Sequence, residues 1–111
     1  MDREYRLTSA TDFKRVRREG KSYAHPLVIL VANPNGLNAP RFGFTAGKAV
    51  GNAVRRNRAK RRLREALRGY LPFMLGGWDV VLIARPKLID ADWSELRTAI
   101  EHLLRQAGLL S

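Results

Sequence analysis

Apolar residues recur along this chain at helical spacing, then in alternation, then at helical spacing again, and each change of period marks an element. Residues 10–19 predict a short helix whose only strong apolar positions are Phe13 and Val16. Ser9-Ala-Thr-Asp12 has the form of a capping box, Leu7 is placed to staple it, and Gly20 is placed to stop it. Residues 23–32 then read as one strand, with Pro26 near its start, where an edge tolerates a missing donor. After the turn-rich loop Asn33-Pro-Asn-Gly-Leu-Asn-Ala-Pro40, residues 41–46 alternate, with Phe42 and Phe44 on one face and Gly43 and Thr45 on the other. These two strands are expected to form a hairpin.

A second helix is expected over residues 53–70, capped by Asn52. Ala59, Leu63, Ala66, Leu67 and Tyr70 make one apolar stripe, and Asn57, Arg58, Arg61, Arg64 and Arg68 collect on the opposite side. Asn52 and Arg56 fall in the row of the stripe, where a core would not accept them. The first turn and a half should therefore overhang the core and present Arg56 to a cleft or a partner. Residues 78–84 are nearly continuously apolar, as in a central strand, and Pro86 ends them. Asp92-Trp-Ser-Glu95 has the form of a helix cap, and Leu96, Ala99, Ile100, Leu103, Leu104 and Ala107 form a last stripe up to Gly108. The order is α-β-β-α-β-α in a single domain spanning residues 1–111, without repeats.

Charge gives this pattern its direction. The 111 residues hold 21 Lys+Arg against 10 Asp+Glu, a formal charge of +11 that repels itself unless the partner is anionic. On the second helix Arg55, Arg56, Arg58, Lys60, Arg61, Arg62, Arg64 and Arg68 face one acid, Glu65, so i,i+4 pairing cannot relieve the repulsion. The preponderance of arginine favours forked contacts to phosphate. Nucleic acid follows as the partner. A basic helix beside a sheet suits structured or single-stranded RNA better than a DNA major groove, which is read by motifs absent here. A membrane partner is disfavoured because no tract of 18 apolar residues is present. The first residues, MDREYRL, lack a signal-peptide hydrophobic region, so a cytoplasmic protein is expected.

Catalytic constellations are missing. The chain has no cysteine, which removes thiolate nucleophiles and Cys-containing zinc sites. His25, beside a proline, and His102, on the last helix, have no partner at ligand or triad spacing. Asp90 and Asp92 read as turn and cap residues, and Glu19, Glu95 and Glu101 as solvated helix charges. The stretch from Gly43 to Ala49 echoes a phosphate loop but is one residue short between the glycines, with Ala49 where a hydroxyl is needed. No catalytic residue and no metal ligand is expected on the protein.

The segment Gly51-Asn-Ala-Val-Arg-Arg56-Asn57-Arg58-Ala-Lys60-Arg61-Arg62-Leu-Arg64 resembles the signature of the bacterial ribonuclease P protein subunit. Arg6-Leu7, then Phe13, Val16 and Gly20, are similar to that family's first helix. The strand after the loop, the Gly-Lys connector and residues 79–85 keep the family's order, so the resemblance covers essentially the whole chain. It implies an α/β domain, a two-layer α+β sandwich like the second domain of ribosomal protein S5, with a left-handed βαβ crossover. Pattern alone would favour the right hand.

The resemblance also implies that a catalytic RNA, using magnesium held mainly through RNA, cuts precursor tRNA to its mature 5′ end. The protein binds that RNA and the 5′ leader, with no cofactor of its own and no protein partner required. Carried over by position, Arg56, Asn57, Arg58, Lys60, Arg61 and Arg64 contact RNA, with Lys48 an added phosphate contact, and Phe13 stacks on a leader base. Arg17 stands where many members place a second aromatic and is expected to serve the leader by stacking or charge. Arg62 stands where an apolar residue is common and is expected to snorkel outward. The alternative is a ribosomal or ribosome-associated RNA-binding protein.

Overall fold

The computed structural model describes residues 6–7 and 9–110. Its elements are α1 (Ala10–Glu19), β1 (Lys21–Ala24), β2 (Val28–Pro34), β3 (Arg41–Ala46), α2 (Ala53–Arg68), β4 (Trp78–Ala84) and α3 (Trp93–Gln106). Short 3-10 turns occupy Lys48–Val50, Leu71–Phe73 and Pro86–Asp90. All three helices open on the expected side-chain caps: Ser9 Oγ accepts from the Asp12 N–H at 3.4 Å, Asn52 Oδ1 from the Arg55 N–H at 3.0 Å, and Asp92 Oδ1 from the Glu95 N–H at 2.8 Å. α2 stops two residues before Tyr70, because Gly69 weakens the helix and Pro72 belongs to the following 3-10 turn.

The strand order is β1-β2-β4-β3, with β1–β2 and β2–β4 antiparallel and β3–β4 parallel. Two expectations are corrected. Residues 23–32 are two strands rather than one. The His25 N–H donates to the Val28 carbonyl at 3.0 Å and the Val28 N–H donates back at 3.3 Å, so Pro26 sits in a tight turn instead of on an edge strand. The order is therefore α-β-β-β-α-β-α. The hairpin between the strand ending at Pro34 and β3 does not form either, because β4 lies between them. β4 is the most continuously apolar segment, so the central position, covered on both faces, is where it removes most hydrocarbon from water. The unit β3-α2-β4 is a parallel crossover between adjacent strands, the unit to which the expected left hand belongs.

Alternation divides the sheet. Val28, Leu30 and Ala32 of β2, Phe42 of β3, and Val80, Leu82 and Ala84 of β4 pack with α2 and α3 in the main core. On the other face Val31 and Val81 meet Leu7 and Val16, with Phe13, Ile29 and Ile83 partly buried beside them. The expected two layers thus describe α2 and α3 on the sheet, while α1 covers the opposite face.

Candidate nucleic-acid interface

The basic helix is held by the side expected to hold it. Ala59, Leu63, Ala66 and Leu67 are fully buried, and Tyr70 packs against the same core from beyond the helix end. Its start is fixed by backbone geometry. Gly51 has φ 136°, and a Cβ there would stand 2.6 Å from Arg55 Cδ, so only glycine serves. Val54, 76% exposed, and exposed Asn52 and Ala53 show that the first turn does overhang the core.

The arginines divide into three groups, one more than their angles suggested. Asn57, Arg58 and Arg61 are exposed on the outer face, as expected. Arg56, Lys60 and Arg64 form a second row at four-residue spacing, each half-buried. Arg64 is corrected from the outer face to this row: its guanidinium carbon lies 5.5 Å from the centroid of the Phe44 ring. α2 overlies β3, an edge strand, and the open margin leaves room for a cation over the aromatic face. The Nε of Arg64 is buried without a hydrogen-bond partner among the described residues.

The third group serves the fold. Arg55 Nε donates to the Val50 carbonyl at 3.2 Å, and Arg68 pairs with Glu65 at 3.4 Å. Arg62 does not snorkel outward. Its guanidinium donates to the carbonyls of Leu88 (2.6 Å), Ile89 (3.3 Å) and Ala91 (2.6 Å). Those carbonyls end the Pro86–Asp90 turn, and an arginine fork satisfies acceptors that a helix end leaves open.

Lys60 and Arg64 line a cavity of about 190 Å³ with Arg6, Leu7, Phe13, Phe42, Gly43 and Phe44. It joins the two faces of the sheet around the β3 edge. The Phe13 ring lies against Gly43 so closely that a Cβ there would be 2.2 Å from its Cζ. The structure thus brings Phe13, Lys60 and Arg64 together and adds Arg6 and Phe44, which sequence reasoning passed over. The signal for Phe44 was present, since an aromatic on an edge strand beside a basic helix has an open side. Lys48 is exposed in the 3-10 turn before α2, and Arg17 is exposed on α1; neither lines this cavity.

Asp79 was also missed. It is fully buried on the α1 face, and Arg41, its register partner on β3, grips it with Nε to Oδ1 and a terminal nitrogen to Oδ2, both at 2.8 Å. Asn35 Nδ2 donates to it at 3.0 Å, and Arg15 of α1 donates to Oδ2. Burial pushes the carboxyl pKa up, but the hydrogen bonds from Arg41, Asn35 and Arg15 outweigh it and hold the group below its ordinary value. The one acid in an apolar strand, opposite an arginine, was the available clue.

His25 is structural. Its Nδ1 accepts from the Leu27 N–H at 3.1 Å, and its pKa is lowered, first by burial and then by repulsion from His102. A larger open hollow, about 500 Å³, lies there beside Arg85 and Lys87, apart from the residues lining the β3 groove. Among the described residues no cluster of His, Asp and Glu has the makings of a metal site, and no helix is long and apolar enough to cross a membrane.

Comparison with known proteins gives a consistent result. A family model described as Ribonuclease P matches residues 1–108. The Ribonuclease P protein component of Chloroflexus aurantiacus is 46% identical over 111 residues, covering 99% of this chain and 82% of the relative. That of Herpetosiphon aurantiacus is 42% identical over 109 residues, covering 98% and 89%. The solved RNase P protein of Staphylococcus aureus superposes with TM-score 0.85 at 30% identity, over 96% of this chain and 98% of that one. The Thermotoga maritima protein superposes with TM-score 0.81 at 31% identity, over 91% and 96%. The mixed α/β fold, its strand order and its crossover are consistent with these structures.

Proposed function

The chain belongs to the ribonuclease P protein family, and from that premise we propose that it binds the catalytic RNA and the 5′ leader of precursor tRNA, assisting 5′ maturation. In this reading the RNA cuts the phosphodiester, with magnesium held by RNA. The protein neutralises phosphate and positions substrate, and needs no protein partner for either task.

The observation that carries the reading is the β3 groove, where the Phe13 ring on Gly43 shares one small cavity with Lys60 and Arg64. An aromatic platform beside cations is what a single strand needs, because every base offers a π-face and every linkage a phosphate. The outer row, Asn57, Arg58 and Arg61, then takes the catalytic RNA. Arg56 sits between the two, and Lys48 extends the phosphate contacts. Arg17, one turn beyond Phe13, adds charge or stacking to the leader.

The protein's own donor set does not suit magnesium. Asp79, the buried carboxylate, already accepts from Arg41, Arg15 and Asn35, which leaves its oxygens spent on cations and an amide. A ribosome-associated role is less favoured, because the ribonuclease P match runs through residues 1–108.

Reconstitution with catalytic RNA and precursor tRNA across magnesium concentrations tests the proposal. The protein should support 5′ processing at magnesium levels where RNA alone fails, and should favour substrates that carry a leader. Metal-dependent cleavage by RNA-free protein, or recovery with ribosomal subunits instead of one large structured RNA, overturns it.

A further inference from the structure

Asp79 takes no part in the contacts proposed above, yet it is the only buried charged side chain among the described residues. Strand parity explains its placement. Val80, Leu82 and Ala84 face α2 and α3, so Asp79 and Val81 face α1. On β3 the same face carries Arg41 and then Gly43, the residue beneath Phe13. A buried carboxylate without partners is strongly unfavourable, so its partners must be held in place. They come from separate elements: Arg41 from β3, Asn35 from the loop before it, and Arg15 from α1. Asp12, also on α1, returns to Arg15 at 3.5 Å and to Arg41 at 3.8 Å.

The rest of α1's attachment is slight. Val16 is its one fully buried residue, in a cluster with Leu7, Val31 and Val81. Aliphatic contacts are non-directional and let a short helix roll on the sheet. The forked ion pairs are directional and do not. Asp12 and Arg15 lie on either side of Phe13 in sequence, so the clasp and the ring turn together.

We infer that Asp79 is a positioning residue for the leader groove: through Arg15 and Arg41 it fixes the roll of α1, and with it the angle at which Phe13 meets a base. This inference rests on the leader reading of that groove. Asp79 itself touches no RNA.

The test compares holoenzyme affinity for precursor tRNA with and without its leader. Asp79→Asn removes the charge while keeping the shape. Arg15→Met cuts only the limb from α1 and leaves the Arg41–Asp79 pair in place, so it carries the test if Asp79→Asn does not fold. Each variant should lose about tenfold in affinity for the leader-bearing substrate, the size of one misplaced stack. Affinity for leaderless tRNA and the rate at saturating substrate should stay unchanged. In a Phe13→Ala background, Arg15→Met should add little, because both act through one ring. Full additivity there, or wild-type leader preference in Arg15→Met, overturns the clasp. A wild-type protein with no leader preference overturns the leader reading itself.

Discussion

On one face of the sheet Leu30, Leu82 and Phe42 meet Leu63, Leu67 and Leu103, while on the other four buried aliphatic side chains share the space with one aspartate and its two arginines. Hydrocarbon packing on the first face is broad and tolerant of small shifts in any single contact. Packing on the second is thin, and its geometry is set by a few directional bonds. The difference teaches where stability and shape reside. The α2/α3 face keeps the chain folded, and the α1 face holds an aromatic ring at a chosen place beside the β3 edge.

The strongest way to break the comparison is through the first face. Leu63→Ala should cost about 2–5 kcal/mol in chemical unfolding, since a fully buried leucine is lost and its cavity only partly collapses. Next comes Gly43→Ala, whose new methyl would stand 2.2 Å from Phe13 Cζ and must displace the ring. It should destabilise by about 1–3 kcal/mol and weaken leader binding, whereas Gly69→Ala, with open space around it, should do neither.

Acid sharpens the contrast further. Because the folded Asp79 pKa lies below the ordinary aspartate value, its stabilisation is complete above about pH 3.9 and drains away as pH falls through the lower folded value. Asp79→Asn should therefore flatten the acid limb of the stability profile and leave its alkaline limb unchanged, as equilibrium unfolding at successive pH values would record. The smallest effect on stability belongs to the RNA row. Arg58→Ala should shift it by less than about 0.5 kcal/mol, yet lower the log–log salt slope of single-strand binding, about −3.5 for five neutralised phosphates, by about 0.7. Arg62→Ala should do the reverse, losing about 1–3 kcal/mol with the salt slope unchanged, because its fork is spent on Leu88, Ile89 and Ala91.

The helices were legible because their information is local. The stripe through Ala59, Leu63, Ala66 and Leu67, and the caps at Ser9, Asn52 and Asp92, need no knowledge of the rest of the chain. The sheet was less so. A run of apolar residues does not name its partner, and the sequence neighbours β2 and β3 gave way to β4. Pro26 was compatible with both an edge strand and a turn, and two backbone hydrogen bonds between His25 and Val28 decided it. Of the site, the row of arginines was visible, but not which of them the fold would claim. Arg62 and Arg58 look alike until the carbonyls of residues 88–91 are in place. Arg41 and Asp79 lie 38 positions apart, too far for any helical or strand period to join them.

Because β4 is threaded between β2 and β3, a ribosome delivers both flanking strands and α2 before the strand that joins them exists. At about 5–20 residues per second, the growing chain spends a few seconds with its arginine-rich helix made and the centre of its sheet missing. Arg15 must wait for a residue 64 positions later to receive its counter-charge. The last strand of the sheet to be synthesised is thus the one that closes it, and the nascent polycation becomes a folded protein in a single late step.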